Sequence, residues 1–134
     1  VDYLKKAEEN KNMKFLWTTL YVKNMEESIA FYSELLGLQV TRRFPAGPGM
    51  EITFLGYGTQ GETLVELITD THKGPVTFSE FISIGFAVDS VEGMLERVKG
   101  KNIAPLSGVV ETPTSRFFTI QDPNGLTVQL FQQK

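Results

Sequence analysis

One pattern occurs twice in this chain, and it restricts the fold more than any other feature. Phe15 to Val22 alternates in polarity and reads as a strand. Asn24 then opens a helix, with Glu27 three residues on as its capping-box partner. Met25, Ile29, Tyr32 and Leu36 form the helix's apolar stripe, widened by Phe31 and Leu35, and Gly37 is a natural stop. Strand-like segments follow near 38–44, 50–57 and 62–69. They are separated by the turn-rich runs Pro45-Ala46-Gly47-Pro48-Gly49 and Gly58-Thr59-Gln60-Gly61.

Residues 70–79 read as a linker, and the order then starts again. Glu80 to Val88 is strand-like. Asp89 or Ser90 caps a helix carrying Val91, Met94, Leu95 and Val98, which ends near Gly100. Further strand-like segments lie near 104–111, 115–121 and 125–131, and Asp122-Pro123-Asn124-Gly125 suits a type I turn. Val22 matches Val88, Asn24 matches Ser90, Met25 matches Val91 and Ile29 matches Leu95, all 66 residues apart. Val65-Glu66-Leu67 matches Val128-Gln129-Leu130 at a spacing of 63. The expected class is therefore α+β: two βαβββ modules, residues 14–75 and 80–134, in a single domain. Residues 1–13 carry charges of both signs and no core pattern, and are expected to be a polar tail or short surface helix.

Strand alternation sorts the remaining side chains onto two faces. Leu16, Leu20, Val22, Val65, Leu67, Ile82, Ile84, Phe86, Val88, Leu126, Val128 and Leu130 make one nearly apolar face, which helices should cover. The other face carries Trp17, Thr19, Tyr21, Leu64, Glu66, Ile68, Ser83, Gly85, Ala87, Thr127, Gln129 and Phe131. That mixture of polar and apolar groups suits the lining of a small-molecule cavity. Glu66 is conspicuous there, because desolvation between Leu64 and Ile68 would raise its pKa and make it a usable acid or base. The plainer alternative is a Glu on a wet sheet face or paired with an Arg.

Composition removes whole classes of chemistry. With no Cys, the chain has no disulfide, thiolate nucleophile or Cys-held metal. With one His, any site needing two imidazoles from one chain is excluded. His72 falls in the linker and reads as a surface residue. A net charge of −3 gives no basic surface for nucleic acid or anionic lipid. No apolar run is long enough to span a bilayer, and a cytoplasmic protein fits the absence of Cys.

The segments Leu20-Tyr21-Val22, Ser28-Ile29-Ala30-Phe31-Tyr32, Leu35-Leu36-Gly37-Leu38, Phe86-Ala87-Val88-Asp89 and Phe118 through Asp122-Pro123-Asn124-Gly125 to Leu130 resemble the vicinal oxygen chelate superfamily. That superfamily includes glyoxalase I, bleomycin-resistance proteins and extradiol dioxygenases. Phe54-Leu55-Gly56-Tyr57-Gly58 and Leu64-Val65-Glu66-Leu67 look most like the glyoxalase I branch. The resemblance, over about residues 14–132, implies two βαβββ modules curled into a half-barrel cleft, commonly completed in a homodimer. It also implies four divalent-metal ligands, one from the first and one from the last strand of each module. Those positions hold Trp17, Glu66, Ser83 and Gln129 here. An indole has no lone pair for a cation, Ser is a weak neutral ligand, and one carboxylate with one amide is a poor set for nickel, zinc or iron.

The expected function is metal-free binding of a small planar organic molecule, with Trp17, Tyr21, Glu66, Ser83 and Gln129 lining the cleft and Arg116 touching the ligand from its rim. Trp17 reads equally as a stacking wall or as a plug, and for Arg116 a solvated surface residue is the plainer reading. Of Arg42 and Arg43, strand alternation lets only one face the cleft, and solvated edge charges are the plainer reading. The alternative function is a lactoylglutathione-lyase-like or other lyase or isomerase. It would use Glu66 as the catalytic group, with no metal or with a divalent metal weakly held by Glu66 and Gln129.

Overall fold

The computed structural model describes residues 1–59 and 62–134. Gln60 and Gly61, half of the second expected turn, lie outside the described residues. Helix α1 (Tyr3–Glu9) is fully exposed, capped by Asp2 at Lys5 N, and so belongs to the expected surface tail. The two modules then follow in order. β1 (Thr18–Tyr21), α2 (Met25–Ile29), β2 (Gln39–Pro45), β3 (Met50–Gly56) and β4 (Val65–Asp70) form the first. β5 (Ser83–Ala87), α3 (Val91–Gly100), β6 (Val110–Glu111), β7 (Ser115–Gln121) and β8 (Thr127–Gln133) form the second.

Each module is a four-stranded sheet with the same topology, β1-β4-β3-β2 and β5-β8-β7-β6. In each, the first and last strands pair in parallel and the remaining ladders are antiparallel. The repeat read from the sequence is thus a repeat of topology. It yields two four-stranded sheets, one for each expected βαβββ module.

Both predicted helix starts are capped by side chains, Asn24 through its own side-chain bond without the reciprocal Glu27 bond of a capping box among the described residues. Asn24 Oδ1 accepts from Glu27 N at 2.9 Å, and Ser90 Oγ from Gly93 N at 3.0 Å, which selects Ser90 over Asp89. The first helix departs from expectation in its second half. It widens to a π-helix over Ala30–Leu35, with Leu36 N donating to Phe31 O, before Gly37 ends it at φ +81°. This wider turn lets the adjacent pair Phe31 and Tyr32 be buried together with Leu35.

Four strands are shorter than the alternation predicts, the segment expected at 62–69 among them, which begins at Val65. The strand expected from Phe15 begins at Thr18, leaving Phe15 and Leu16 exposed. The strand expected from Glu80 begins at Ser83, leaving Phe81 and Ile82 exposed. The segment expected at 104–111 shortens to Val110–Glu111, because Pro105 and Gly108 do not sustain a ladder.

One core joins both modules through their helix-covered sides. It holds Leu20, Val22, Tyr32, Leu35, Val65 and Leu67 from the first, and Val91, Val98, Phe118, Ile120, Val128 and Leu130 from the second. Tyr32 packs on Phe86 with ring centroids 6.4 Å apart, and Arg97 Nη2 of α3 donates to Glu34 O. The Asp122 turn fastens the same seam. Asp122 Oδ1 accepts from Asn124 N and Leu126 N, while Asn124 donates to Ser28 Oγ and accepts from Lys23 N.

Candidate functional site

The faces turned away from the helices carry the candidate site. On the first sheet, parallel pairing puts Thr19 opposite Glu66, and antiparallel pairing puts Phe54 on Glu66's other side. One residue before β1, Trp17 aims its indole at the same carboxylate. Glu66 Oε1 accepts from Trp17 Nε1 at 3.2 Å and from Thr19 Oγ1 at 2.5 Å. Phe54 stands against Trp17 with centroids 5.6 Å apart, and Phe44 meets Phe54 edge-on at 5.5 Å. The Arg42 guanidinium lies 4.4 Å over the Phe44 ring. The open face of this sheet is therefore an aromatic row with one carboxylate anchored in it.

On the second sheet, Gln129 lies between Gly85 and Thr119, and Ser83 is exposed beside Thr127. Phe117 and Phe131 stack at 6.3 Å. The expected lining residues are thus placed as two groups. Trp17, Tyr21 and Glu66 share one sheet, and Ser83 and Gln129 share the other. No hydrogen bond joins the two groups among the described residues, because the modules meet through their opposite sides.

Tyr21 lines an open pocket of about 460 Å³ beside this face, walled on one side by the linker and bounded also by Thr19, Asp70, Lys73 and Phe78. Lys73 Nζ lies 4.9 Å over the Tyr21 ring. Asp70 accepts from His72 N at 2.9 Å and faces His72 Nδ1 at 3.2 Å. The backbone donation from His72 is the main reason the Asp70 carboxyl titrates below its ordinary value. His72 itself is exposed, as its place in the linker implies.

Arg116 does not stand at the rim of this face. On β7 it shares its parity with the buried Phe118 and Ile120, which puts it on the helix-covered side. There its guanidinium is held by Glu92 of α3 and by Glu111. Arg43 likewise pairs with Glu26 and Glu51, so of the two adjacent arginines Arg42 faces the open side.

Phe44, Phe54 and Phe117 join the lining beyond the residues that the sequence predicts. Their signal was available: each falls on the open face once the antiparallel registers are fixed, but those registers are set by turns whose geometry the sequence does not declare.

The four positions that hold metal in the resembling enzymes do not form a fitting donor set here. The indole at the first is a hydrogen-bond donor to the carboxylate at the second, which leaves that carboxylate bound to protein through Oε1. Ser83 and Gln129 are neutral.

Comparison with known proteins supplies the lineage. The model of the glyoxalase/bleomycin resistance protein/dioxygenase superfamily matches residues 14–130. A lactoylglutathione lyase from Neisseria meningitidis serogroup B is 31% identical over 129 residues, covering 91% of this chain and 92% of that protein. The trypanothione-dependent glyoxalase I of Leishmania major superposes with a TM-score of 0.75 at 24% identity, over 90% of this chain and 86% of that one. An antibiotic binding protein from Streptomyces superposes with a TM-score of 0.68 at 19% identity, over 91% of this chain and 98% of that one. The doubled βαβββ topology and these matches agree, and the chain belongs to the glyoxalase/bleomycin resistance protein/dioxygenase superfamily.

Proposed function

We propose that this chain is a binding protein that holds a small planar aromatic molecule without a metal, in a cleft made by two copies. The observation that carries this reading is the Glu66 anchor. At a position where related enzymes place a metal-binding carboxylate, Glu66 instead fixes an indole by Trp17 Nε1 and a hydroxyl by Thr19 Oγ1. A fixed indole beside Phe54 is a stacking wall that loses little entropy when a ring lies on it.

The second copy follows from the placement of the open faces. Each sheet leaves its first strand, β1 or β5, at an edge with unpaired backbone groups. A partner that sets its β5 beside β1 brings Ser83, Gln129 and the Phe117–Phe131 pair to Trp17 and Glu66. The fold also serves antibiotic binding in Streptomyces, so a non-catalytic role lies within its range.

A second reading, an isomerase of the lactoylglutathione lyase kind, is favoured by the 31% identity to the Neisseria protein. It requires a Lewis acid, for which the residues at the four positions are poorly suited.

Trp17 is the chain's one Trp, so its emission reports the site directly. Planar polycyclic aromatics are expected to quench it saturably and to raise the melting temperature by mass action. Metal analysis of untagged protein should find no stoichiometric nickel, zinc, iron or manganese. Tightly bound metal with lactoylglutathione turnover would replace this reading with the second.

A further inference from the structure

We infer that the ligand of this face carries a hydrogen-bond donor, a phenolic O–H or an aromatic amine N–H, which Glu66 receives at Oε2. The inference rests on the aromatic-binding reading above and narrows it to a class of ligand.

A carboxylate offers about four acceptor positions and no donor. Glu66 uses Oε1 for both of its protein partners, Trp17 Nε1 and Thr19 Oγ1. Oε2 has no hydrogen bond among the described residues. Glu66 is half-buried on the open side of its sheet, between Thr19 and Phe54, so its carboxylate shares a face with the aromatic row against which a ring would stack.

The nearby cations are engaged elsewhere. Arg42 lies over Phe44, Arg43 pairs with Glu26 and Glu51, and Lys73 lies over Tyr21. A ring bearing only carbonyl, ether or carboxylate oxygens would set lone pairs against the Oε2 lone pairs and displace its water. A ring bearing O–H or N–H would replace that water with a charge-assisted hydrogen bond.

The contrast predicts discrimination between two ligands of one shape. The probes are β-naphthol and its methyl ether, titrated calorimetrically into the full chain at neutral pH. Wild type should bind the naphthol about tenfold or more tightly than the ether, the size expected of a hydrogen bond to a charged group.

Glu66→Gln then tests which atom is responsible. The acceptor that Trp17 and Thr19 require makes the amide oxygen take the place of Oε1, which turns the amide NH2 toward the ligand. The variant should keep its affinity for the ether and lose or reverse the preference for the naphthol.

Equal affinity of wild type for both probes overturns the inference and leaves the cleft reading intact. Binding of neither probe overturns both. A preference that survives in Glu66→Gln places the acceptor elsewhere and overturns the assignment to Glu66. The wild-type comparison decides the donor requirement even if the variant fails to fold.

Discussion

The Tyr32 hydroxyl donates to Asp122 Oδ2 at 2.7 Å, joining residues 90 positions apart in sequence across the seam between the modules. Both side chains are buried, and Asp122 already orders its turn by accepting from Asn124 N and Leu126 N. Tyr32→Phe removes the donor and nothing else, leaving the buried Asp122 Oδ2 with only the longer 3.3 Å bond from Asn124 Nδ2. The expected cost is about 1.5–3 kcal/mol, read as a lower urea midpoint at unchanged slope. Burial first, then the charge and hydrogen bond of Asp122, hold the Tyr32 phenol far above its ordinary value of 10.0. A folded-state value raised above the unfolded one contributes fully below pH 10 and is lost above it. Ultraviolet titration should therefore show one of the four tyrosines ionising only as the protein unfolds in alkali.

Gly56 closes β3 where the chain turns back toward β4. A Cβ there would run into the backbone carbonyl oxygen of Glu62, an atom no rotamer can move aside. Gly56→Ala is therefore expected to destabilise by roughly 1–3 kcal/mol through backbone displacement, although Ala is otherwise the milder residue. Because Leu64 N donates to Leu55 O next to this contact, hydrogen exchange at that amide should accelerate in the variant.

Periodicity was sufficient for the modules and for Glu66, and insufficient for the site as a whole. The alternation around Leu20, Val65 and Leu67 named their buried face correctly because strand parity is local. Arg116 shows the limit. Parity with Phe118 and Ile120 places it under α3, but its partner Glu92 lies on a different element that strand parity does not locate. The π-helix over Ala30–Leu35 is not legible in the sequence, because the stripe through Met25, Ile29, Tyr32 and Leu36 fits an ordinary α-helix. That Ser83 and Gln129 lie apart from Trp17 depends on how two modules dock, and the Tyr32–Asp122 contact that fixes this is long-range.

The acid limb of stability should depend on Arg116. Its hydrogen bonds and charge lower the titration of Glu92, and Lys134 followed by Arg116 lowers that of Glu111, below the ordinary 4.5. Folded-state values depressed in this way contribute stability above about pH 4.5, which is lost as pH falls through them. Wild type should lose more stability between neutrality and acid than Arg116→Met, and added salt should narrow the gap because both carboxylates are exposed. Parallel pH profiles for the two proteins would show that the cluster contributes nothing to folding.

The repeat also exposes a matched pair of apolar steps, and these make the two-copy cleft testable. Phe15 and Leu16 precede β1 at 86% and 63% exposure, and Phe81 and Ile82, 66 positions later, precede β5 at 90% and 53%. Four large apolar side chains beside two open strand edges are costly in water and suit burial against a second copy. Sedimentation at micromolar concentration should give a dimer. Leu16→Asp with Ile82→Asp should give a monomer with unchanged far-ultraviolet circular dichroism, since neither residue belongs to the core. The monomer keeps Trp17 and Glu66 but loses the partner's Ser83, Gln129 and Phe117–Phe131 wall. Ligand affinity should consequently fall by about tenfold or more, the loss expected when one side of a stacking site is removed. A wild-type monomer that quenches fully, or a monomeric variant that binds as tightly as wild type, would confine the site to a single sheet.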